Sequence, residues 1–494
     1  MPNNSLPLSY RLRSAARYHR LPGDKSALVL GFPLKTAILH GSWHPLLSRL
    51  ADGRWVPFGK ICAAVPLLST KEIQQFLNKL IRKGYMEQRG YPLIEESDYR
   101  SVSVIVPVRN RPDEIKACLA SLSALDYPPE KLEIIVVDDA STDETVSVVE
   151  RYPAVRLLRM YQHRQASYCR NRAAELSKGE ILAFIDSDCL ADPNWLKELV
   201  PAFWDTSLGA LGGWVDAAWE EKSLDRYEKV KSSLKIGSWF KRSSDRERFF
   251  YVPTCNFLVR RAAFIDLGGF RETLHVGEDV DFCWRLQDAG YAMEYRPYGR
   301  VAHKHRNHLF AFCFRRFDYG TSEPILQGLH TDRVKTLYLP WNEFLFWFAV
   351  LLALLFFSPW PLVLGAGIIL VDTQKKFVQL KKRQIPVTRF QVTAAVLRSY
   401  LSFVYHCCSF VSRYYLVGLP LVFLISPLII GSISLMHLIV GIVEYGTKKP
   451  RLNLLFFLFF FTLEQIFYQS GVWWQCIRQL NFKPVLPRVV HKRI

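Results

Sequence analysis

The chain has 494 residues, 50% of them hydrophobic and 22% charged, with a formal net charge of +19; that length favours two or three domains over a single core. The charge is uneven: residues 333 to 494 hold 18 Lys/Arg against 4 Asp/Glu, residues 1 to 97 hold 14 against 6, and residues 98 to 332 hold 32 against 35. A near-neutral middle excludes a nucleic-acid patch there, and a basic tail that is also the most apolar stretch points to an anionic membrane surface.

Ten cysteines are scattered without a CxxC pair, and Cys407-Cys408 is the one close couple. Neither a disulfide framework nor a zinc site is signalled, which fits a reducing cytoplasm. The first twenty residues lack the continuous apolar core of a signal peptide, so the regions ahead of the tail are expected to stay cytosolic.

Residues 1 to 97 read as a small α/β module with short strands near Tyr18 to Leu21 and Ala27 to Leu30. The segment "STKEIQQFLNKLIRKG" follows as a helix. Ser69 and Glu72 form a capping box, Ile73, Phe76, Leu77 and Leu80 make one apolar face, and Gly84 ends the helix before a strand at Tyr85. The order suggests a winged-helix-like module that binds a partner or packs on its neighbour.

From residue 98, apolar strands alternate with helices: "VSVIVPV", "EIKACLASL", "LEIIVVDD", "DETVSVVERY", "VRLLRM", "ASYCRNRAAEL" and "EILAFID". This pattern predicts an α/β core with a parallel sheet covered on both faces, and ligands bind at the carboxyl ends of such strands. Asp138-Asp139 and Asp186-Ser187-Asp188 both stand at strand ends.

Residues 336 to 494 read as a hydrophobic helical region. The stretch 344 to 371 breaks at Ser358-Pro359-Trp360-Pro361 between basic flanks, which suits two spans or a re-entrant hairpin. A second stretch, Tyr414 to Val443, is interrupted by Pro420 and Pro427. A third, "LNLLFFLFFFTL", is short and runs into Glu464-Gln465. A buried soluble helical domain is the alternative.

Asp186 and Asp188 offer hard oxygen ligands to Mg2+ or Mn2+, which neutralises a departing diphosphate, although an Asx turn needs the same residues. Asp138 and Asp139 can accept hydrogen bonds from a base or a ribose, or simply cap the next helix. Glu278-Asp279 opens a further helix, where one carboxylate can serve as general base or merely complement the helix dipole.

Taken together, "VSVIVPVRNR", "IIVVDDAST", "RNRAAELSKGEILAFIDSDC", "FRETLHVGEDVDFCWRL" and "VAHKH" resemble a family 2 glycosyltransferase of the GT-A nucleotide-sugar-binding fold. The resemblance implies that Pro107 and Arg109 line a nucleotide pocket, Asp139 beside Asp138 holds the base, and Arg170 lies near the diphosphate. It assigns Asp186 to ribose and metal, Asp188 to metal, and His303 or His305 to a third metal ligand. Asp279, with Glu278 beside it, becomes the base that deprotonates an acceptor hydroxyl for inverting attack on the sugar of a nucleotide donor such as a UDP-hexose.

Two departures are informative. "FRRFDYGTS" stands where a processive polymerase carries QxxRW, which disfavours polymer export, and Arg109 replaces an aromatic in the strand-end loop. A narrower resemblance, including "EQIFYQSGVWWQCIR" in the tail, is to the mycofactocin-type glycosyltransferases. It implies transfer of a hexose, expected to be glucose, to a small peptide-derived redox cofactor, with residues 1 to 97 as a peptide-recognition-type module. It also implies a transferase domain over 98 to 335 that faces the cytoplasm from the inner or plasma membrane. A lipid or polyprenyl-phosphate acceptor and a non-catalytic membrane adaptor are the rival readings.

Overall fold

The computed structural model describes residues 7–31, 33–90, 98–243, 250–305, 308–418 and 426–490. The chain forms two compact units: Met1–Ser9, Gln88–Arg315 and Pro450–Phe456 in one, and Tyr10–Glu87, Arg316–Lys449 and Phe457–Ile494 in the other.

The first unit is built on an eight-stranded sheet. Its strands are β1 (Val102–Val108), β2 (Leu132–Asp139), β3 (Val155–Met160), β4 (Ile181–Phe184), β5 (Leu208–Gly212), β6 (Lys241–Ser243), β7 (Phe257–Arg260) and β8 (Ala292–Tyr295), in the order β6-β8-β5-β7-β4-β1-β2-β3. The four strands legible in the sequence, β4-β1-β2-β3, are all parallel, with Ile181 opposite Val102 and Val102 opposite Leu132. Beyond them β7 runs antiparallel to both β4 and β5, so the complete sheet is mixed. A second sheet of three short strands joins Cys189–Ala191, Val301–His303 and Val215–Ala217.

The apolar runs are continuous because both faces of the sheet are covered. Val102, Val104, Val106, Ile134 and Val136 pack into one core, while Ile105, Ile135, Val137, Leu182 and Phe184 pack into the other. On that second face Phe184 meets Phe257, Phe264 and Phe270 at centroid distances of 5.2 to 6.1 Å. Phe282, from the helix Glu278–Asp288, completes the cluster 5.4 Å from Phe270. Burial of such rings stabilises by about 2 to 3 kcal/mol each and ties this helix to the end of β4.

The second unit contains the N-terminal module. The expected strands are present as Ala16–Leu21 and Lys25–Gly31, and Leu34–His40 adds a third antiparallel strand. The helix Thr70–Arg82 carries the expected capping box, and Gly84 follows it at φ 82°. Ser9–Leu12 and Met86–Arg89 pair beside Val56–Pro57.

The same unit holds the helices Trp341–Leu355, Trp360–Lys382, Arg389–Tyr414, Pro427–Lys448 and Leu454–Gln479. The first two part at the Ser358-Pro359 break, with a proline in the first turn of the second. Arg389–Tyr414, Pro427–Lys448 and Leu454–Gln479 are long and apolar enough to cross a membrane. Their outward residues, among them Leu401, Leu435, Leu438 and Phe459, stay exposed.

Three sequence expectations change here. The third stretch is not short, because Leu454–Gln479 runs on through Glu464 and Gln465. The second stretch begins its helix at Pro427, and Pro420 lies outside the described residues. Arg389–Tyr414 was not anticipated as a span. Polar side chains pair between helices: Ser399 donates to Glu343 at 2.6 Å, Tyr405 to Glu444 at 2.7 Å, and Arg413 to Gln465 at 3.2 Å. Gly320 and Gly471 let the helices Leu309–Leu329 and Leu454–Gln479 cross closely, since a Cβ on either would strike the other's backbone carbonyl.

Candidate active site

Because β1 to β4 are parallel, their carboxyl ends share one edge of the sheet, and the loops there are tightly fixed. Asn110, Ala140 and Gln165, all non-glycine, adopt positive φ of 50°, 58° and 72° just beyond β1, β2 and β3. Asn110 N donates to Ser141 Oγ at 3.0 Å, its Oδ1 accepts from Thr142 N at 2.9 Å, and Arg111 N donates to Thr145 Oγ1 at 2.9 Å.

Asp138 and Asp139 are buried at the end of β2. Asp138 accepts from Ser141 N at 3.3 Å. Asp139 accepts from the backbone N–H groups of Arg164 and Gln165 at 2.6 and 3.0 Å and faces His163 Nδ1 at 2.7 Å. Its carboxylate therefore pins the loop after β3. Pro107 is half-buried opposite Val137, and Arg109 is exposed beyond it.

Past β4 the chain turns through Asp186-Ser187-Asp188 into Cys189–Ala191. Arg170, only 4% exposed on the helix Gln165–Leu176, donates to Asp186 Oδ1 at 2.6 Å and to Glu278 Oε1 at 3.1 Å. Its Nε has no hydrogen-bond partner among the described residues. Arg170, expected near the diphosphate, bridges two carboxylates.

Asp188 is ion-paired through Oδ2 to Arg111, and its Oδ1 lies 3.5 Å from His303 Nε2. The ladder sets this meeting, because Cys189 stands opposite His303 in the antiparallel pair. Burial opposes ionisation of Asp188, but His303 and Arg111 outweigh it and hold the carboxyl below its usual range. His305 stands behind, its Nδ1 3.3 Å from His303 Nδ1 and 3.9 Å from Glu228 Oε2.

Asp188, Cys189 and His303 present ligand atoms within 4.8 Å of one another. The carboxylate and imidazole suit Mn2+ or Mg2+, with Asp186 two residues away. The Cys189 thiol does not, because burial and its contact with Cys255 push it well above its usual value and keep it protonated.

Gly277, at φ 88°, turns the chain into the helix Glu278–Asp288. Arg285 locks that helix by donating to Asp281 at 2.9 Å and to the carbonyls of Leu267 and Gly269 at 2.6 and 2.7 Å. The two acids at its start then differ. Glu278 is held by Arg170, whereas burial first, and the charge of Glu278 second, push Asp279 up to about 8, with Arg170 and Arg315 pulling it partly back.

Arg111, His163 and Arg285 were not singled out from the sequence. Arg111 alone had a signal, being two positions beyond Arg109 in "VRNRPDE".

Fold and strand-end chemistry together define a glycosyltransferase domain of GT-A-like architecture. The sequence model of Glycosyl transferase family 2 matches residues 103–268. Glycosyltransferase AglE of Haloferax volcanii is 31% identical over 220 residues, covering 41% of this chain and 70% of that protein. The chain belongs to glycosyl transferase family 2. Over its length it is similar to the Pre-mycofactocin glycosyltransferase of Mycobacterium tuberculosis, 25% identical across 95% of this chain and 96% of that one. Among solved structures, the mannosyltransferase PcManGT of Pyrobaculum calidifontis aligns over 64% of this chain and 91% of its own, at 18% identity and a TM-score of 0.39.

Proposed function

We propose that this chain transfers a hexose, glucose being the expected one, from a nucleotide sugar to a hydroxyl of a small peptide-derived redox cofactor of mycofactocin type. The transfer proceeds with inversion, at the cytoplasmic face of the inner or plasma membrane. The similarity to the mycobacterial relative over nearly the whole of both chains supports this acceptor class.

The observation that carries the chemistry is the Arg170 bridge, which ties Asp186 to the helix bearing Glu278 and Asp279. In this reading the Asp279 carboxylate takes the proton of the acceptor hydroxyl. The hydroxyl oxygen bonds to the anomeric carbon as the bond from that carbon to the diphosphate oxygen breaks, and one such displacement inverts the centre. Arg170 engages the Glu278 carboxylate at 3.1 Å, which leaves the proton transfer to Asp279. Asp188 and His303, with Asp186 two residues from Asp188, would hold a divalent cation, and such an ion would neutralise charge on the departing nucleoside diphosphate. Pro107, Arg109, Asp138 and Asp139 shape the nucleotide side, the latter two through the loops they fix.

The functional division is then a peptide-recognition-type module over 1 to 97, a transferase domain over 98 to 335 and a membrane-associated region over 336 to 494. A second reading, transfer to a lipid acceptor, is favoured by the three apolar helices. Labelled donor incubated with the full chain and cell extract, followed by partition between solvent and water, separates the two. Label in a water-soluble product, lost in Asp279→Asn, is expected; label confined to the lipid phase rejects the cofactor acceptor.

A further inference from the structure

Within the second unit, the helices Trp360–Lys382 and Arg389–Tyr414 and the strand Leu34–His40 enclose a groove of about 290 Å3. Leu34, Leu380, Val392 and Val396 give it an apolar floor, and Lys376 and Arg383 stand on its rim. Residues 373 to 390 carry six Lys/Arg and no Asp or Glu. The nearest acid in sequence, Asp372, is buried and already accepts from Lys376 at 2.7 Å.

The position of the groove decides what fits it. Val392 and Val396 lie in the first two turns of a helix apolar enough to cross a membrane, and Phe390, Leu397 and Leu401 on the same helix are exposed. A cationic rim above an apolar floor, at the start of such a helix, lies where a lipid headgroup meets its chains. A soluble anion leaves the floor unused, and a neutral lipid leaves the cations of this stretch other than Lys376, which pairs with Asp372, unanswered.

We propose that this groove binds one anionic phospholipid of the surrounding bilayer, its phosphate on Lys376 and Arg383 and its chain along Leu380, Val392 and Val396. Leu34 belongs to the N-terminal module and the other floor residues to the helices, so the lipid touches both at once. Anionic lipid thereby stabilises the packing of the module on these helices, independently of the transfer chemistry.

The test uses the purified full chain in mild detergent, with phosphatidylglycerol or phosphatidylcholine of identical acyl chains, read by native mass spectrometry and by Tm. Wild type is expected to retain one phosphatidylglycerol per chain, bound in preference to phosphatidylcholine, with a raised Tm. The double variant Lys376→Gln/Arg383→Gln is expected to bind it roughly thirty-fold more weakly, as the loss of two cations at a membrane surface implies. Val396→Trp, which fills the groove and leaves the rim charges in place, is expected to abolish retention. Equal binding of the two lipids, undiminished phosphatidylglycerol binding by the double variant, or displacement of phosphatidylglycerol by equimolar polyprenyl phosphate each overturns the proposal.

Discussion

Arg170 and Glu278 stand 108 residues apart in sequence, yet the guanidinium Nη1 lies 3.1 Å from the carboxylate Oε1. The same guanidinium holds Asp186, so one buried cation fixes the spacing between the strand-end acid and the helix that carries Asp279. Removal of one partner from a buried pair leaves the others charged and unanswered, which costs about 3 kcal/mol or more. Arg170→Met is therefore expected to lower Tm by several degrees and to reduce kcat by at least about a hundredfold. Thermal unfolding and transfer rate measured on one preparation check both.

Asp279→Asn separates catalysis from stability. Transfer is expected to fall by about three orders of magnitude while donor binding persists. The folded-state carboxyl is raised and the unfolded one is not, so between their two values the folded chain binds a proton that the unfolded chain has released. Wild-type stability then falls as pH rises through that window, from the ordinary carboxylate range to about 8. The asparagine variant lacks this cost. Its Tm relative to wild type is expected to climb from pH 5 to pH 8.5, a trend that unfolding scans across that range resolve.

The same group sets the activity profile. If Asp279 must be ionised to accept the hydroxyl proton, kcat/KM rises with pH and levels off above about 8. A profile already flat from pH 5 to 7 assigns the base elsewhere.

For the cation, ligand chemistry ranks His303 above Cys189, although both lie within reach of Asp188. His303→Ala is expected to weaken Mn2+ binding by at least about tenfold, whereas Cys189→Ala leaves it unchanged. Titration followed by electron paramagnetic resonance reads both without any turnover.

The strands β1, β2 and β4 were legible because both faces of the sheet are buried, which writes each as an unbroken apolar run. Leu34–His40 was not, since Lys35, Thr36 and His40 interrupt its apolar residues. The acids at the strand ends could be named from the sequence, but not their partners. Arg170 turns away from solvent only because the fold brings Glu278 to it, and His303 reaches Asp188 only through the ladder opposite Cys189. Past Glu464 and Gln465 the helix Leu454–Gln479 runs on, and there Arg413, a cation from another helix, donates to Gln465 at 3.2 Å. Local pattern carries hydrophobic period and caps; pairing between distant residues is decided by topology.

The central claim is a single displacement assisted by Asp279. Its most direct test is the anomeric configuration of the first-formed product, read by proton NMR after transfer from a nucleotide α-glucose. A β-linked product is the predicted result; an α-linked product contradicts the account.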